Sequence, residues 1–136
     1  MSVIDEHLAR AMELPGAVGA SLVDCTAGLA LATAGSVPAG DAEAAATGAA
    51  EVLYAASARA PFASARPHDT IEDLIITTVS GYHLLQGVPV PFGNQLVLYL
   101  WLDRADGNLA MARRRLADIA DDLVRTPPDP PAGSAT

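Results

Sequence analysis

Lysine is absent from this chain of 136 residues, cysteine occurs once, and aromatic residues make up only 4% of it. Each shortage excludes something. A single cysteine, Cys25, rules out an internal disulfide and any cysteine-based zinc site, a usage that fits a reducing cytoplasm. The eight basic residues are all arginines and face 16 acids, for a net charge of −8. Such a surface repels phosphate backbones and anionic lipid, which argues against nucleic-acid and membrane-surface binding. The one basic run, Arg113-Arg114-Arg115, fans out around a helix axis and reads as a solvated face, not as one patch. Long apolar runs are missing too. The longest, Leu96 to Leu102, is far below the about 20 residues that a membrane span needs. Asp5 and Glu6 follow Met1 closely, where a signal peptide carries positive charge and then an apolar core. A soluble, cytoplasmic protein is the expectation.

What is present is apolar content. At 51% hydrophobic and 18% charged residues, the chain suits one domain with a substantial core, over residues 1–125. The segment 126–136, rich in proline, reads as a disordered tail.

Ser2 and Asp5 resemble a capping box ahead of a short first helix carrying Val3, Ile4, Leu8 and Ala11, which ends at Pro15-Gly16. Two strands follow, Gly16 to Val23 and Leu29 to Gly35, around a turn at Asp24 to Gly28 where aspartate and glycine suit positive φ. Pro38, Gly40 and Asp41 open a second helix running to about Arg59. Its expected buried face is Ala42, Ala45, Ala49, Val52, Leu53 and Ala56, whose small side chains permit close approach to a neighbour. After a loop at Pro61 to Asp69, three strands form a meander: Ile71 to Val79, a Ser80-Gly81 turn, Tyr82 to Val88, and Gln95 to Leu102. In the last strand Leu96, Leu98, Leu100 and Leu102 alternate with Val97, Tyr99 and Trp101. A strand apolar on both faces is covered on both, so the expected fold class is α/β, a three-layer α/β/α sandwich with a five-stranded antiparallel sheet in the order α-β-β-α-β-β-β-α. Asn108 caps the final helix, which turns Leu109, Ala112, Leu116, Ile119, Ala120 and Leu123 inward and leaves Arg114, Asp118, Asp121 and Asp122 in water. The strand from Ile71 is expected at the sheet edge, where Ile71, Leu74, Ile75, Ile76 and Val79 offer no lysine or proline to block pairing with a second copy.

The chemistry-bearing residues do not assemble into an active site. Cys25 lacks a base nearby in sequence, and His7, His68 and His83 have no metal-ligand spacing. Asp103 to Asn108 lacks the alternating acids of a calcium loop, and no phosphate-cradling glycine motif occurs. Glu72 and Asp73 are adjacent on a strand and point to opposite faces, so they cannot act as a pair. No catalytic residue, cofactor or metal is expected. An inward cluster of polar residues able to orient a small ligand is not evident either.

The element order, the PGAVGASLVDCTAGLALATAG opening, the Ala-rich second helix and the TTVSGYHLLQGV hairpin together resemble the roadblock family, over Val3 to Val124. That family includes the dynein light chain of that name and bacterial regulators of gliding-motility GTPases. The proline-bracketed VPVPFGNQ connection departs from its pattern. The resemblance implies a homodimer, or a heterodimer with another roadblock protein, formed by third-strand pairing and second-helix packing. On this chain that points to Ala45, Ala49, Val52 and Ala56 on the helix and Ile71, Asp73, Ile75 and Thr77 on the strand. It further implies a non-enzymatic partner of a small Ras-like GTPase, in signal transduction, with a purely structural dimerisation module as the alternative. Arg66 and Arg104 are the loop arginines that an arginine-finger mechanism would need. Arginine without lysine and abundant alanine suit a high-GC bacterium such as an actinomycete.

Overall fold

The structure is a computed structural model that describes residues 2–58, 70–90 and 95–125. The expectations for Arg59, for the loop with Arg66 and His68, for the middle of the VPVPFGNQ connection and for the Pro-rich tail lie outside the described residues.

Three helices and five strands follow the expected order: α1 (Val3–Met12), β1 (Ala17–Asp24), β2 (Leu29–Gly35), α2 (Ala42–Ala58), β3 (Asp73–Thr77), β4 (Gly81–Val88), β5 (Leu96–Asp103) and α3 (Leu109–Arg125). A short 3-10 turn at Pro38–Gly40 precedes α2. The caps form as the sequence dictates. Ser2 Oγ accepts from the Asp5 amide at 3.1 Å, Asp41 Oδ1 accepts from Glu43 and Ala44 at the start of α2, and Asn108 Oδ1 accepts from Met111 at 3.0 Å. In the first hairpin, Asp24 Oδ1 accepts from the Thr26 and Ala27 amides, and Gly28 takes φ +70°, the conformation a side chain disfavours.

The strands form one antiparallel sheet in the order β2-β1-β5-β4-β3. Strand β5 is central, and its two apolar faces feed two different cores. Leu98, Leu100 and Leu102 join Leu8 and Ala11 of α1 and Leu116, Ile119 and Ala120 of α3. Val97 and Tyr99 join Leu85 and Leu53 of α2 in a smaller second cluster. The three-layer sandwich is therefore present, with α1 and α3 on one face and α2, lying over β1 and β2, on the other.

Two expectations need correction. The third strand does not run from Ile71 to Val79 but spans Asp73–Thr77. At its far end Thr78 turns the chain instead: its amide donates to the Gly81 carbonyl and its Oγ1 accepts from the Gly81 amide at 3.0 Å, leaving Val79 96% exposed. The buried face of α2 is also rotated. Ala46 and Leu53 are buried while Val52 is 39% exposed, so the line Ala42, Ala45, Ala49, Val52 and Ala56 borders the inward face and does not form its centre.

Candidate interaction surface

The order of strands leaves β3 as one edge of the sheet. Its hydrogen bonds to β4 come from alternate residues: the Glu72 carbonyl accepts from the Gly87 amide at 2.9 Å, and the Thr78 amide donates to the Gly81 carbonyl at 2.8 Å. Antiparallel pairing alternates strictly, so the even-numbered residues face β4 and the N–H and C=O groups of Asp73, Ile75 and Thr77 point outward. Among the described residues neither a lysine nor a proline blocks this edge, which makes it a template for pairing with another strand.

Side chains on β3 alternate in the same way, to opposite faces of the sheet. Ile75 packs into the larger core under α1 and α3, and Asp73 Oδ2 accepts from Arg113 Nε of α3 at 2.5 Å. Leu74 packs in the smaller cluster under α2. Ile76 is 37% exposed and borders the open space beside that helix.

Helix α2 is apolar nearly all round, with Glu43 and Glu51 as its only charges. A helix of that kind ordinarily lies buried. Here one side rests on the sheet, Val52 stands exposed on one flank, and the 62% exposed Tyr54 stands on the opposite flank. Between α2 and the sheet runs a recess of about 200 Å³ bordered by Ala45, Ala49 and Val52 from the helix and by Ile76, His83 and Tyr99 from the strands. The outward backbone of β3 and the bare flank of α2 thus bound the same side of the molecule.

His83 lies half-buried on this face. Its Nδ1 and the Tyr99 hydroxyl share a hydrogen bond of 2.6 Å, and its ring stacks 5.9 Å from those of Tyr99 and Trp101. Burial pulls the imidazole below its ordinary pKa and pushes the Tyr99 phenol well up, so both are neutral near pH 7. Burial, with the Asp24 carboxylate, also pushes the Cys25 thiol up. A nucleophilic or redox-active cysteine needs the opposite shift. Among the described residues no three histidine, cysteine or acidic side chains group as metal ligands, and no helix is long and apolar enough to cross a membrane. Arg104 is tied to its own chain, donating from Nη1 to the Thr78 carbonyl at 3.1 Å and lying over the Tyr82 ring.

Of the residues expected at an interface, Ala45, Ala49 and Val52 border the recess and Ala56 is half-buried on α2. Ile71 precedes β3. Asp73, Ile75 and Thr77 bring their backbone to the open edge, but their side chains lie on the α3 side, away from α2. The residues that border α2 from β3 are the even-numbered ones, above all Ile76, and the strand alternation carried that signal.

These features describe a domain with one sealed face, one open strand edge and one half-covered helix, and no assembled catalytic constellation among the described residues. The fold is that of the roadblock family. Myxococcus xanthus MglB superimposes with a TM-score of 0.75 at 19% identity, over 90% of this chain and 85% of that one. An MglB solved in a tetrameric arrangement gives 0.72 at 20% identity, over 90% and 85%. A Roadblock/LC7 domain from Streptomyces avermitilis gives 0.70 at 18% identity, over 88% and 92%. No family model matches the sequence, and no curated protein matches it either.

Proposed function

We propose that the chain is a non-catalytic, dimeric regulator or scaffold that binds a small Ras-like GTPase and biases its nucleotide cycle. The observation that carries this reading is the coincidence of the outward-facing β3 backbone with the bare flank of α2 on one side of a roadblock fold. Two copies pairing β3 with β3, through the backbone of Asp73, Ile75 and Thr77 beside Ile71, join their sheets into one. The same operation brings two α2 helices together through Ala45, Ala49, Val52 and Ala56, where short side chains allow close contact. Ile76 joins that interface. The paired helices then form the platform for the GTPase, and regulation follows from binding one nucleotide state better than the other. Arg104 would have to leave Thr78 to act as a finger, so a direct contribution to hydrolysis is not part of the proposal. A cytoplasmic location in a lysine-poor, high-GC bacterium accords with the composition and with the tetrameric MglB and the Streptomyces domain as structural neighbours.

The test has two stages. Light scattering at micromolar concentration is expected to give a dimer; a monomer sinks the strand-pairing reading. Binding is then measured to a small Ras-like GTPase of the same organism, loaded with GDP or with a non-hydrolysable GTP analogue, and hydrolysis is followed in the same sample. Tighter binding to the GTP form supports a regulator. No binding to either form leaves a structural dimerisation module.

A further inference from the structure

The recess under α2 has a roof made almost without side chains. Ala42, Ala45, Gly48 and Ala49 line it from the helix, with Val52 as the one larger side chain. A Cβ built at Gly48 meets no atom within 4 Å, so this glycine relieves no crowding within the chain, although glycine is a much poorer helix former than alanine. What it supplies is room. The recess holds about 200 Å³, more than the ~150 Å³ of an apolar cavity that takes up benzene.

The floor is polar in one place. Register sets Thr33 opposite Ser21, and Ser21 opposite Tyr99, across three neighbouring strands, and all three line the recess. Ser21 is only 7% exposed, yet among the described residues no hydrogen bond engages its hydroxyl. No described side-chain polar atom is sealed away from solvent without a partner, so the Ser21 hydroxyl opens into the recess. A ligand group placed there gains a hydrogen bond that no described residue supplies. Beside it, the hydrogen-bonded pair of Tyr99 and His83 presents flat aromatic surface. Among the described residues no acid or arginine lines the space, and both titratable groups are neutral, so an ionised ligand would lose its hydration without gaining a counter-charge.

We propose that this recess is a binding site for a small, neutral, mainly apolar molecule of about eight non-hydrogen atoms, scaled from benzene in ~150 Å³. Its single hydroxyl or amide group bonds Ser21, and its ring or chain lies against Tyr99 beneath Gly48. The site belongs to the single chain and stands apart from any GTPase. The competing occupant is an apolar side chain of a second copy, because the recess opens between Val52 and Ile76 on the side assigned above to the dimer.

The experiment titrates the full-length protein with p-cresol, an eight-heavy-atom phenol, with benzoate as the ionised control. Binding is read from backbone amide shifts at Ser21 and Gly48 and from the fluorescence of Trp101, the only tryptophan, which stacks on His83. Saturable shifts with p-cresol are expected, at least tenfold weaker with benzoate. Ser21→Ala is expected to weaken p-cresol about tenfold, and Gly48→Leu, which places a side chain in the recess, to abolish binding. Ala45→Met is a second blocking variant should circular dichroism show that Gly48→Leu is misfolded. The proposal fails if p-cresol does not saturate, or if a folded blocking variant binds it as the wild type does. It fails equally if p-cresol does not bind and Gly48→Leu turns a dimer into monomers, because the recess then houses the second copy.

Discussion

Helices α2 and α3 are both 17 residues long and lie on opposite faces of the same sheet, yet they finish the fold to different degrees. In α3 the pattern divides cleanly: Leu116, Ile119, Ala112 and Ala120 are buried, while Arg114, Asp118 and Asp121 stay in water. Its inward face closes over Leu98, Leu100 and Leu102, while Met111 and Val124 remain exposed. In α2 alanine occupies every side, and among the described residues burial is complete only at Ala46 and Leu53. A helix with one well-defined apolar stripe, backed by charged residues, seals a core. A helix with more apolar surface than its chain can cover leaves a surface for something else.

The sharpest break of that comparison is a matched pair of truncations. Leu116→Ala on the sealed face is expected to cost about 3–4 kcal/mol of unfolding free energy, and Leu53→Ala beneath α2 about 2 kcal/mol, because the thinner layer relaxes more readily around the missing atoms. Urea denaturation of the two variants measures both, and equal losses would mean that the two faces are packed alike. Next comes Val52→Glu on the open flank. It is expected to raise the dimer dissociation constant at least tenfold in light scattering while leaving the stability of the monomer within about 0.5 kcal/mol, as for an exposed position. A dimer unaffected by this charge would place the contact elsewhere.

Gly48→Ala sharpens the contrast from within α2. Its new methyl group meets nothing within 4 Å, so the monomer is expected to gain about 1 kcal/mol from helix propensity, read from the denaturation midpoint under dilute conditions. The smallest effect is on pH. Burial holds the folded pKa of His83 below its ordinary 6.5. In the interval between the lowered value and 6.5 the unfolded chain binds more protons, so stability rises with pH there. The contribution is fully present above about 6.5 and is lost as the pH falls toward the folded value. His83→Asn is expected to flatten the stability profile below about pH 6.5, and an unchanged slope would assign that dependence to other groups.

Legibility followed the same division. Strand β2 runs over Leu29–Gly35, as its turn and glycine boundaries indicate, and α3 starts from Asn108 as read. The double apolar character of β5 called for helices on both sides of the sheet, and they are there. Misplacements gathered where the pattern was weak. In α2, stripes of alanine at several phases are almost equally apolar, so the sequence contains no preference for Ala46 over Ala45 as the inward residue. At the end of β3, Thr78 and Val79 have high strand propensity, but the bonds between Thr78 and Gly81 stop the ladder. The recess was invisible because its three hydroxyls come from separate strands.

By itself the sequence determined which segments are helices and strands, which of them are apolar on one face or on two, and that the chain carries an acidic surface without lysine. Those properties follow from local propensity and from periods of two and 3.6, which are legible along the chain. Only the tertiary structure decided that Thr33, Ser21 and Tyr99 stand in one row, that Asp73 faces Arg113 while Ile76 faces the other way, and that α2 lies over β1 and β2 with one flank bare. The physical reason is that strand order and helix rotation are set by contacts between residues far apart in sequence, and an alanine helix exerts little preference of its own over which side lies down.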